Sequence, residues 1–363
     1  IEYLGGKIRT TSNHSIFVRE KNYIVAKKAD ELKPGDVLVN LPFKVRSSFI
    51  PGVGTTRKIK AFQFSAKDVN LEIPIWEENK ELIKKYNFAL TNRGTLPQWQ
   101  IGQMIGVSQM SVSEWQRGIG YPRDLSMEVY KSRVVLPQKV KINPAFMRLL
   151  GYYLAEGRVT KYFTEFTFGI HEKDLHQDCV QLIEQILKIT PRQVETADNT
   201  LKISIQSTDV AALFEKLCNT GSHNKKLPGF VWDLPYSCFI ELLKGYSRGD
   251  GYITKEGKLC MTSVSKQLIT ELAWLCSLHG IGTGIREEEI KAGRIIKKRV
   301  LPAGRSWTLI IGKTTNPFIE NNSPESQFKK PRIRKITELP YNDYVYDLCG
   351  CDNEAFFGGD KPI

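Results

Sequence analysis

Two segments of this chain, residues 147–161 and 241–255, repeat one another position by position. Each has an apolar start, a Gly-Tyr pair, a small residue four positions after that glycine, an acid, a glycine, and a strand-like run ending in Thr-Lys. The two acids, Glu156 and Asp250, lie 94 positions apart, a sensible length for one module of helices and strands. The chain is therefore expected to contain a duplicated domain and to adopt an α+β fold.

Within each copy, two small residues are spaced to lie on one face of a helix. Residues four apart stack on the same face, and a face of small residues lets two helices approach backbone to backbone. Pairing of the two helices would place Glu156 and Asp250 together at their C-terminal ends, and the glycine after each acid suits a left-handed helix cap. The small residues are Gly151 and Ala155 in the first copy, and Gly245 and Gly249 in the second.

Two carboxylates at paired helix C-termini are electrostatically costly. The negative ends of the two helix dipoles and the neighbouring carboxylate all oppose ionisation. Such a site makes sense if it holds a divalent cation. Mg²⁺ suits hard carboxylate oxygens and keeps waters that can act as a nucleophile beside a phosphate. The alternative is that Glu156 and Asp250 are ordinary surface acids that end two helices.

The net charge indicates the class of partner. Lysine and arginine number 52 against 39 acids, which gives a formal charge of +13. An excess of this size favours a polyanion, most commonly nucleic acid, and a solubilising surface is the alternative. With 41% hydrophobic and 25% charged residues over 363 positions, the chain reads as globular, with two or three domains.

Several features favour a location inside the cell. No apolar run approaches the roughly 20 residues that a membrane helix needs, and the first residues do not read as a signal or transit peptide. The seven cysteines are an odd number scattered through apolar segments, without the paired spacing of a structural zinc site. We therefore expect a soluble, cytoplasmic protein with reduced, mostly buried thiols.

A strand over residues 201–206 supplies one candidate DNA-binding surface. Its apolar residues alternate with polar ones, so Lys202, Ser204 and Gln206 are expected to point outward from a twisted antiparallel sheet. A sheet with polar, basic outward side chains fits a DNA major groove.

A basic run further along the chain supplies a second candidate surface. Clustered lysines and arginines bind DNA phosphates, with an affinity that falls as salt rises. Solvated surface is the alternative reading of such a run. The residues concerned are Lys297, Lys298 and Arg299.

Residues 98–118 have the layout of a helix-turn-helix. Gly106 permits a sharp turn after a first amphipathic helix, and Ser108 can cap a second helix. Val112 and Trp115 would pack that second helix onto the first. A plain helical hairpin is the alternative. If the motif reads DNA, the exposed side chains of its second helix face the major groove. These side chains are Gln109, Ser111, Ser113, Glu114 and, just beyond, Arg117.

The motif pair Leu149–Gly157 and Leu243–Gly251 resembles the two signature helices of LAGLIDADG homing endonucleases. The resemblance covers roughly residues 141–335 and implies two αββαββα halves around a pseudo-two-fold axis. It also implies that the acids of the two motifs bind the catalytic metals, two or more Mg²⁺ ions for which Mn²⁺ can substitute.

A second element of the same resemblance points to basic residues. Residues 224–228 read Asn-Lys-Lys-Leu-Pro and are similar to the family's Asn-Lys-x-Ile-Pro element before the second signature. The resemblance makes Lys225 the central basic catalytic residue of the first half and Lys313 its counterpart in the second. A lysine in this role would stabilise the pentavalent phosphate or adjust the pKa of the attacking water.

The two ends of the chain resemble the splicing blocks of inteins. Thr11–His14 is similar to the Thr-x-x-His block, and Val345–Leu348 to the penultimate block. By this resemblance the threonine and the histidine activate the first peptide bond for an acyl shift, and Asp347 assists later steps. The chain has neither an opening Cys or Ser nor a closing His-Asn pair, so both splice-junction tips are expected to be missing and the chain alone cannot complete splicing.

The expected organisation has three parts. Two half-sets of strands at opposite ends need one another for a core. The expected parts are a β-rich splicing domain of the Hint type from 1–50 and 336–363, an inserted DNA-contacting module over 51–140, and an endonuclease over 141–335 with repeats at about 145–235 and 236–335.

The predicted function is that of an intein-encoded homing endonuclease. It would make a metal-dependent double-strand break at a long, asymmetric DNA site, with each half cutting one strand. Its partners would be double-stranded DNA and the flanking host exteins, with no membrane, and it would act as a monomer. Two alternatives stay open: a splicing-only intein with an inactive nuclease, and a DNA-binding regulator without catalysis.

Overall fold

The computed structural model describes residues 1–21, 23–40, 70–72, 75–120, 139–293, 295–296, 299–300, 302–319, 330–346 and 355–363. The chain divides into two compact units. Unit 1 holds Ile1–Ala66, Leu150–Glu156 and Leu217–Ile363, and unit 2 holds Lys67–Leu149 and Gly157–Lys216. Every helix in the described ranges is too short or too polar to cross a bilayer.

The described residues form eight α-helices and seventeen β-strands. The helices are α1 (Ile75–Thr91), α2 (Gln98–Ile105), α3 (Gln109–Arg117), α4 (Pro144–Glu156), α5 (Lys173–Leu187), α6 (Thr208–Cys218), α7 (Tyr236–Asp250) and α8 (Lys266–Leu278). The strands are β1 (Glu2–Tyr3), β2 (Gly6–Lys7), β3 (Ser15–Glu20), β4 (Tyr23–Lys28), β5 (Asn70–Glu72), β6 (Lys139–Lys141), β7 (Gly157–Val159), β8 (Thr164–Gly169), β9 (Arg192–Glu195), β10 (Thr200–Ile205), β11 (Gly251–Ile253), β12 (Leu259–Ser263), β13 (Thr283–Ile290), β14 (Ile295–Ile296), β15 (Arg299–Val300), β16 (Gly304–Ile311) and β17 (Ile333–Lys335).

Unit 2 contains a four-stranded antiparallel sheet in the order β7-β8-β10-β9. The strand predicted over 201–206 is β10, shifted one residue toward the N-terminus. Leu201, Ile203 and Ile205 are buried, as the alternation predicts. Helix α5 contacts β10 and buries the apolar stripe that its 3.6-residue period creates.

Unit 1 contains a second four-stranded sheet, in the order β11-β12-β16-β13. All three pairings are antiparallel, and α8 contacts β12, β13 and β16. Taken as first, second, third and fourth strand of their copies, the strands of both sheets have the same order. The repeat in the sequence therefore corresponds to a repeat in topology, as a duplicated domain requires.

Unit 2 also contains a small cluster formed by α1, α2 and α3. Its core includes Tyr86, Ile101, Val112 and Trp115. Gly106 ends α2 in the left-handed region at φ 66°, where L side chains are strained. The side chain of Ser108 accepts a hydrogen bond from the backbone of α3, as the sequence predicts for a cap.

The two ends of the chain share a core in unit 1. Strand β1 lies between β2 and β17, so residues from the start of the chain pair with residues beyond position 330. Strands β3 and β4 form a hairpin beside them. The buried residues of this core are Tyr3, Ile16, Val18, Ala29, Leu32, Leu38 and Ile333.

Candidate functional site

The small residues of the repeated motif let α7 approach the last two turns of α4. A Cβ placed on Gly151 would lie 2.7 Å from the Tyr246 nitrogen and 2.9 Å from Gly245 Cα, far inside van der Waals contact. A Cβ placed on Gly249 would lie 2.5 Å from Ala155 Cβ. The backbone-to-backbone approach predicted from the sequence is therefore present.

This packing brings the two acids to adjoining helix ends. Glu156 is the last residue of α4 and Asp250 the last residue of α7. The Cβ position on Gly249, the residue before Asp250, would lie 3.2 Å from Glu156 Cγ. The ammonium of Lys225 interacts electrostatically with both carboxylates. The structure thus assembles Glu156, Asp250 and Lys225 in one place.

The glycines after the acids do not act as left-handed caps, so that expectation is wrong. Gly251 has φ −100° and ψ 150°, an extended conformation, and opens β11. Gly157 likewise opens β7. Because each helix runs directly into a strand, a reversing left-handed residue has no place at its end. The last carbonyls of the helix must then find other donors.

At the end of α4 the donor is a lysine side chain. Lys225 Nζ donates hydrogen bonds to three successive main-chain carbonyls in the last turn of the helix. The acceptors are Tyr153 O at 2.9 Å, Leu154 O at 2.9 Å and Ala155 O at 3.3 Å.

Burial dominates the electrostatics of this site. It raises the pKa of Asp250 to about 6, and the nearby ammonium of Lys225 partly opposes that rise. Burial also lowers the pKa of Lys225, while Asp250 and Glu156 pull it back upward. The sequence predicts a pKa rise from the helix dipoles and the second carboxylate, but desolvation of Asp250 is the main cause in the structure.

The residues at the two helix ends fit a magnesium ion. Mg²⁺ is commonly bound by one or two carboxylates, with waters and substrate phosphates completing its shell. Glu156 and Asp250 supply such oxygens, and the desolvation of Asp250 makes a compensating cation favourable. Among the described residues no group of three or more His, Cys, Asp or Glu gathers as a fuller ligand set.

Lys313, expected to be the counterpart of Lys225, lies in a different setting. It begins a 3-10 turn after β16 and its residue is exposed. Its aliphatic chain packs on the turn between β11 and β12, where a Cβ on Gly257 would lie 2.9 Å from Lys313 Cδ. Lys225, by contrast, is 7% exposed. The two lysines are therefore not equivalent in environment.

Lys202, expected to bind DNA, belongs to a charged cluster on the outward face of the unit 2 sheet. Its Nζ lies 3.2 Å from Glu165 Oε1 on β8, and Arg158 Nη2 on β7 lies 3.3 Å from the same oxygen. One carboxylate therefore holds two cations side by side. Gln206 lies just beyond β10 and is exposed.

Ser204 lies on the same outward face as Lys202, but it is only 8% exposed, so the expectation that it is open to DNA is wrong. Ser204 lies directly opposite Glu165 on one neighbouring strand and Arg192 on the other. Directly opposed residues share a face of the sheet, so the longer side chains beside it cover the short hydroxymethyl group. In the basic run, Lys297 and Lys298 lie outside the described residues, and of Arg299 only the backbone, in β15, is described.

The predicted recognition helix is α3. Gln109 and Arg117 are exposed, and Arg117 Nε donates to Ser113 O at 3.3 Å. Ser111 and Glu114 are half-buried, and Ser111 Oγ lies 3.0 Å from the capping Ser108 Oγ. Gln116, which the sequence does not single out, is buried, and its amide donates to Ala89 O on α1 at 2.8 Å, so it ties α3 to that helix.

Of the residues expected to act in splicing, His14 lies against the C-terminal segment. Thr11 O accepts a hydrogen bond from His14 N at 3.3 Å, and the His14 ring lies 5.9 Å from the Phe356 ring. Thr11 is exposed and His14 is half-buried. Asp347 lies outside the described residues.

The C-terminal segment also touches the second repeat, a contact that the sequence does not predict. Trp274 Nε1 on α8 donates to Gly359 O at 3.1 Å, and Lys361 Nζ donates to Thr283 O on β13 at 2.9 Å. From the N-terminal segment, Lys7 Nζ lies 3.2 Å from Glu287 Oε2 on β13. Burial lowers the pKa of Lys361 to about 8. No local pattern signals these contacts, since their partners are about 80 to 280 positions away.

The chain has recognisable relatives. It is 27% identical to an uncharacterized protein of Methanocaldococcus jannaschii over 95% of this chain and 42% of that protein. It is 22% identical to the replication factor C small subunit of the same organism, over 100% of this chain and 19% of that protein. The chain thus spans less than half the length of these curated relatives.

A solved structure of the homing endonuclease I-WcaI bound to its DNA recognition sequence aligns with 47% of this chain and 77% of its own, at 11% identity and a TM-score of 0.30.

A family model extends over nearly the whole chain. The model describes the intein splicing domain and matches residues 2–361. The matched range includes the strands from both ends of the chain that share one sheet. On the strength of that match, the chain belongs to the family of intein splicing domains.

Proposed function

We propose that this chain is an intein whose inserted part is a site-specific, Mg²⁺-dependent DNA endonuclease of the LAGLIDADG type. The observation that carries the proposal is the placement of two acids, one from each copy of a repeated motif, at the ends of two helices in backbone contact. If the two acids merely ended two surface helices, nothing would require them to lie together, nor the facing helix surfaces to consist of small residues.

In this proposal each acid belongs to the repeat that cuts one of the two DNA strands. Glu156 and Asp250 would hold the metal, which would supply Lewis acidity and an activated water. The protein's own contribution is to fix the two carboxylates relative to the DNA and to keep their surroundings poorly hydrated. A carboxylate binds a cation best when it is ionised. The pKa of about 6 leaves Asp250 mostly ionised, and therefore able to bind a cation, at neutral pH.

The charge distribution supports double-stranded DNA as the substrate. The chain carries a formal charge of +13, and Lys202 and Arg158 lie together on an outward sheet face. The exposed polar residues of α3, Gln109 and Arg117, offer a second contact surface. Because the two repeats differ in sequence, the preferred target is long and asymmetric rather than palindromic.

The test is a cleavage assay on the host gene from which the intein-coding sequence has been removed. A plasmid carrying that gene is incubated with the protein and Mg²⁺, and linear product is measured. We expect cleavage by the wild type, and none by Glu156→Gln or Asp250→Asn. Glu184→Gln, which changes an exposed carboxylate on α5, serves as the matched control and should cleave normally.

The two alternatives predict different results in the same assay. A DNA-binding regulator without catalysis would retain the target in a gel-shift experiment and leave it uncut. An intein with an inactive nuclease would neither cut nor discriminate the target, and would still splice. Cleavage that survives both acid substitutions would remove the proposed site.

We also propose that Thr11 and His14 act on the peptide bond at the upstream splice junction. The ring of His14 against Phe356 supports this, because it joins the early and late splicing segments. The natural precursor carrying His14→Ala should accumulate unspliced, with Lys28→Ala, an exposed lysine at the end of β4, as control. Asp347 stays a prediction, to be tested in the same precursor by Asp347→Asn.

A further inference from the structure

All three N–H donors of the Lys225 ammonium are used in hydrogen bonds to the protein's own backbone. A lysine ammonium has three N–H donors, and here three carbonyls accept from it, at 2.9, 2.9 and 3.3 Å. The side chain also lies against the Tyr153 ring, 5.4 Å from its centroid. In this arrangement no proton is left to donate to a phosphate oxygen. The contact chemistry is that of a helix cap and not of a ligand to substrate.

The backbone around Lys225 is also held by hydrogen bonds, from the start of α8 and from a residue within it. Its carbonyl accepts a 2.6 Å hydrogen bond from Ser265 Oγ, and Ser265 is the residue that caps the start of α8. Two positions later, the Leu227 amide donates to Glu271 Oε2 on α8 at 2.6 Å. Lys225 therefore connects the start of α8 to the end of α4.

The acceptor carbonyls are those immediately before Glu156. A helix end whose carbonyls lack donors frays, and α4 has no left-handed glycine cap to prevent it. Fraying of one turn would move the Glu156 carboxylate away from Asp250. We propose that Lys225 is a positioning residue, whose ammonium fixes the last turn of α4 and so holds Glu156 in place to bind the metal. This inference rests on the metal site proposed above.

The test separates this role from a purely electrostatic one by the direction of an effect. The purified chain is titrated with Tb³⁺ as a luminescent probe of the carboxylate site. Lys225→Met keeps the length of the side chain and removes its charge and donors. If the lysine holds Glu156, we expect about tenfold weaker Tb³⁺ binding, the low end for the loss of a residue that supports a metal ligand. If Lys225 acts only as a positive charge, its replacement removes the repulsion between the ammonium and Tb³⁺, and Tb³⁺ binds more tightly.

A second measurement tests the fraying itself. Hydrogen exchange of a peptide covering residues 150–157 should be faster in Lys225→Met than in the wild type. Lys226→Met is the matched control, since it removes the neighbouring half-buried lysine, and should change neither measurement in that direction. If Lys225→Met does not fold, as judged by circular dichroism, Lys225→Gln replaces it in both experiments.

The outcomes distinguish this inference from the proposed function. Should Glu156→Gln and Asp250→Asn leave Tb³⁺ binding unchanged, the metal site itself is refuted. Should both acids matter while Lys225→Met binds Tb³⁺ as well as or better than the wild type, with unchanged exchange, the positioning role is refuted and the metal site stands.

Discussion

Gly151→Ala tests the contact on which the candidate site depends. The added methyl group would meet the backbone of α7, at 2.7 Å from the Tyr246 nitrogen and 2.9 Å from Gly245 Cα. Backbone atoms cannot swing aside as a side-chain end can. The Leu242 carbonyl oxygen would be closer still, so the two helices must separate locally by about 1 Å to restore an ordinary contact of 3.4 Å.

The cost of that separation can be set against a gain. Overpacking a tight contact costs about 1–3 kcal/mol, and the upper end applies because rigid backbone is displaced. Alanine recovers about 1 kcal/mol over glycine inside a helix. The net loss is about 2 kcal/mol of unfolding free energy, which lowers the thermal midpoint by about 4–8 °C for a unit of 150–250 residues. Displacing a reacting group by about 1 Å can cost about 100-fold in rate, so cleavage should fall to that extent.

Thermal melts followed by circular dichroism check the predicted fall in the thermal midpoint, and the plasmid assay checks the predicted fall in the cleavage rate. Gly229→Ala is the matched control, because a Cβ at that position meets no atom within 4 Å, and it should leave both unchanged. A Gly151→Ala protein with the wild-type midpoint and wild-type cleavage would refute the close packing of α4 against α7 as the basis of the site.

Three further predictions concern other parts of the molecule. Burial between aromatic rings lowers the pKa of His279 to about 4 from an ordinary 6.5, so the neutral ring is the stable form in the fold; the stability it contributes is complete above pH 6.5 and is lost as pH falls toward 4. Thermal melts at pH 7 and 4.5 should therefore show a smaller acid loss in His279→Phe than in the wild type. Ser108→Ala should destabilise the α1–α3 cluster by about 1 kcal/mol in a urea titration, with Ser113→Ala, whose side chain is not the cap, nearly neutral. Lys202→Met should reduce the salt dependence of DNA binding by about one unit of the log–log slope, and an unchanged slope would exclude a phosphate contact there.

Much of the fold could be predicted from local sequence patterns. The alternation of Leu201, Ile203 and Ile205 predicted a strand and its buried face, because side chains in a strand alternate between faces whatever the context. The turn at Gly106 and the cap at Ser108 followed from residue chemistry within four positions. The helix contact followed from small residues at a spacing of four, repeated in both copies.

Features that depend on distant residues could not be predicted from the sequence. Whether Gly251 caps a helix or opens a strand depends on pairing with β12, which the glycine itself does not encode. The exposure of Ser204 depends on Glu165 and Arg192 in other strands. The three carbonyls that receive the Lys225 ammonium lie about 70 positions away, so its identification as a basic residue of the site could not reveal what it touches.

The bonds between the chain ends and the second repeat bear on how far this protein can be shortened. The obvious way to trim an intein is to delete the insertion between its splicing segments. In this chain such a deletion would strip the Gly359 carbonyl of its indole donor on α8 and the Lys361 ammonium of its acceptor on β13. A compact derivative would have to keep those two elements or supply new partners for Gly359 and Lys361.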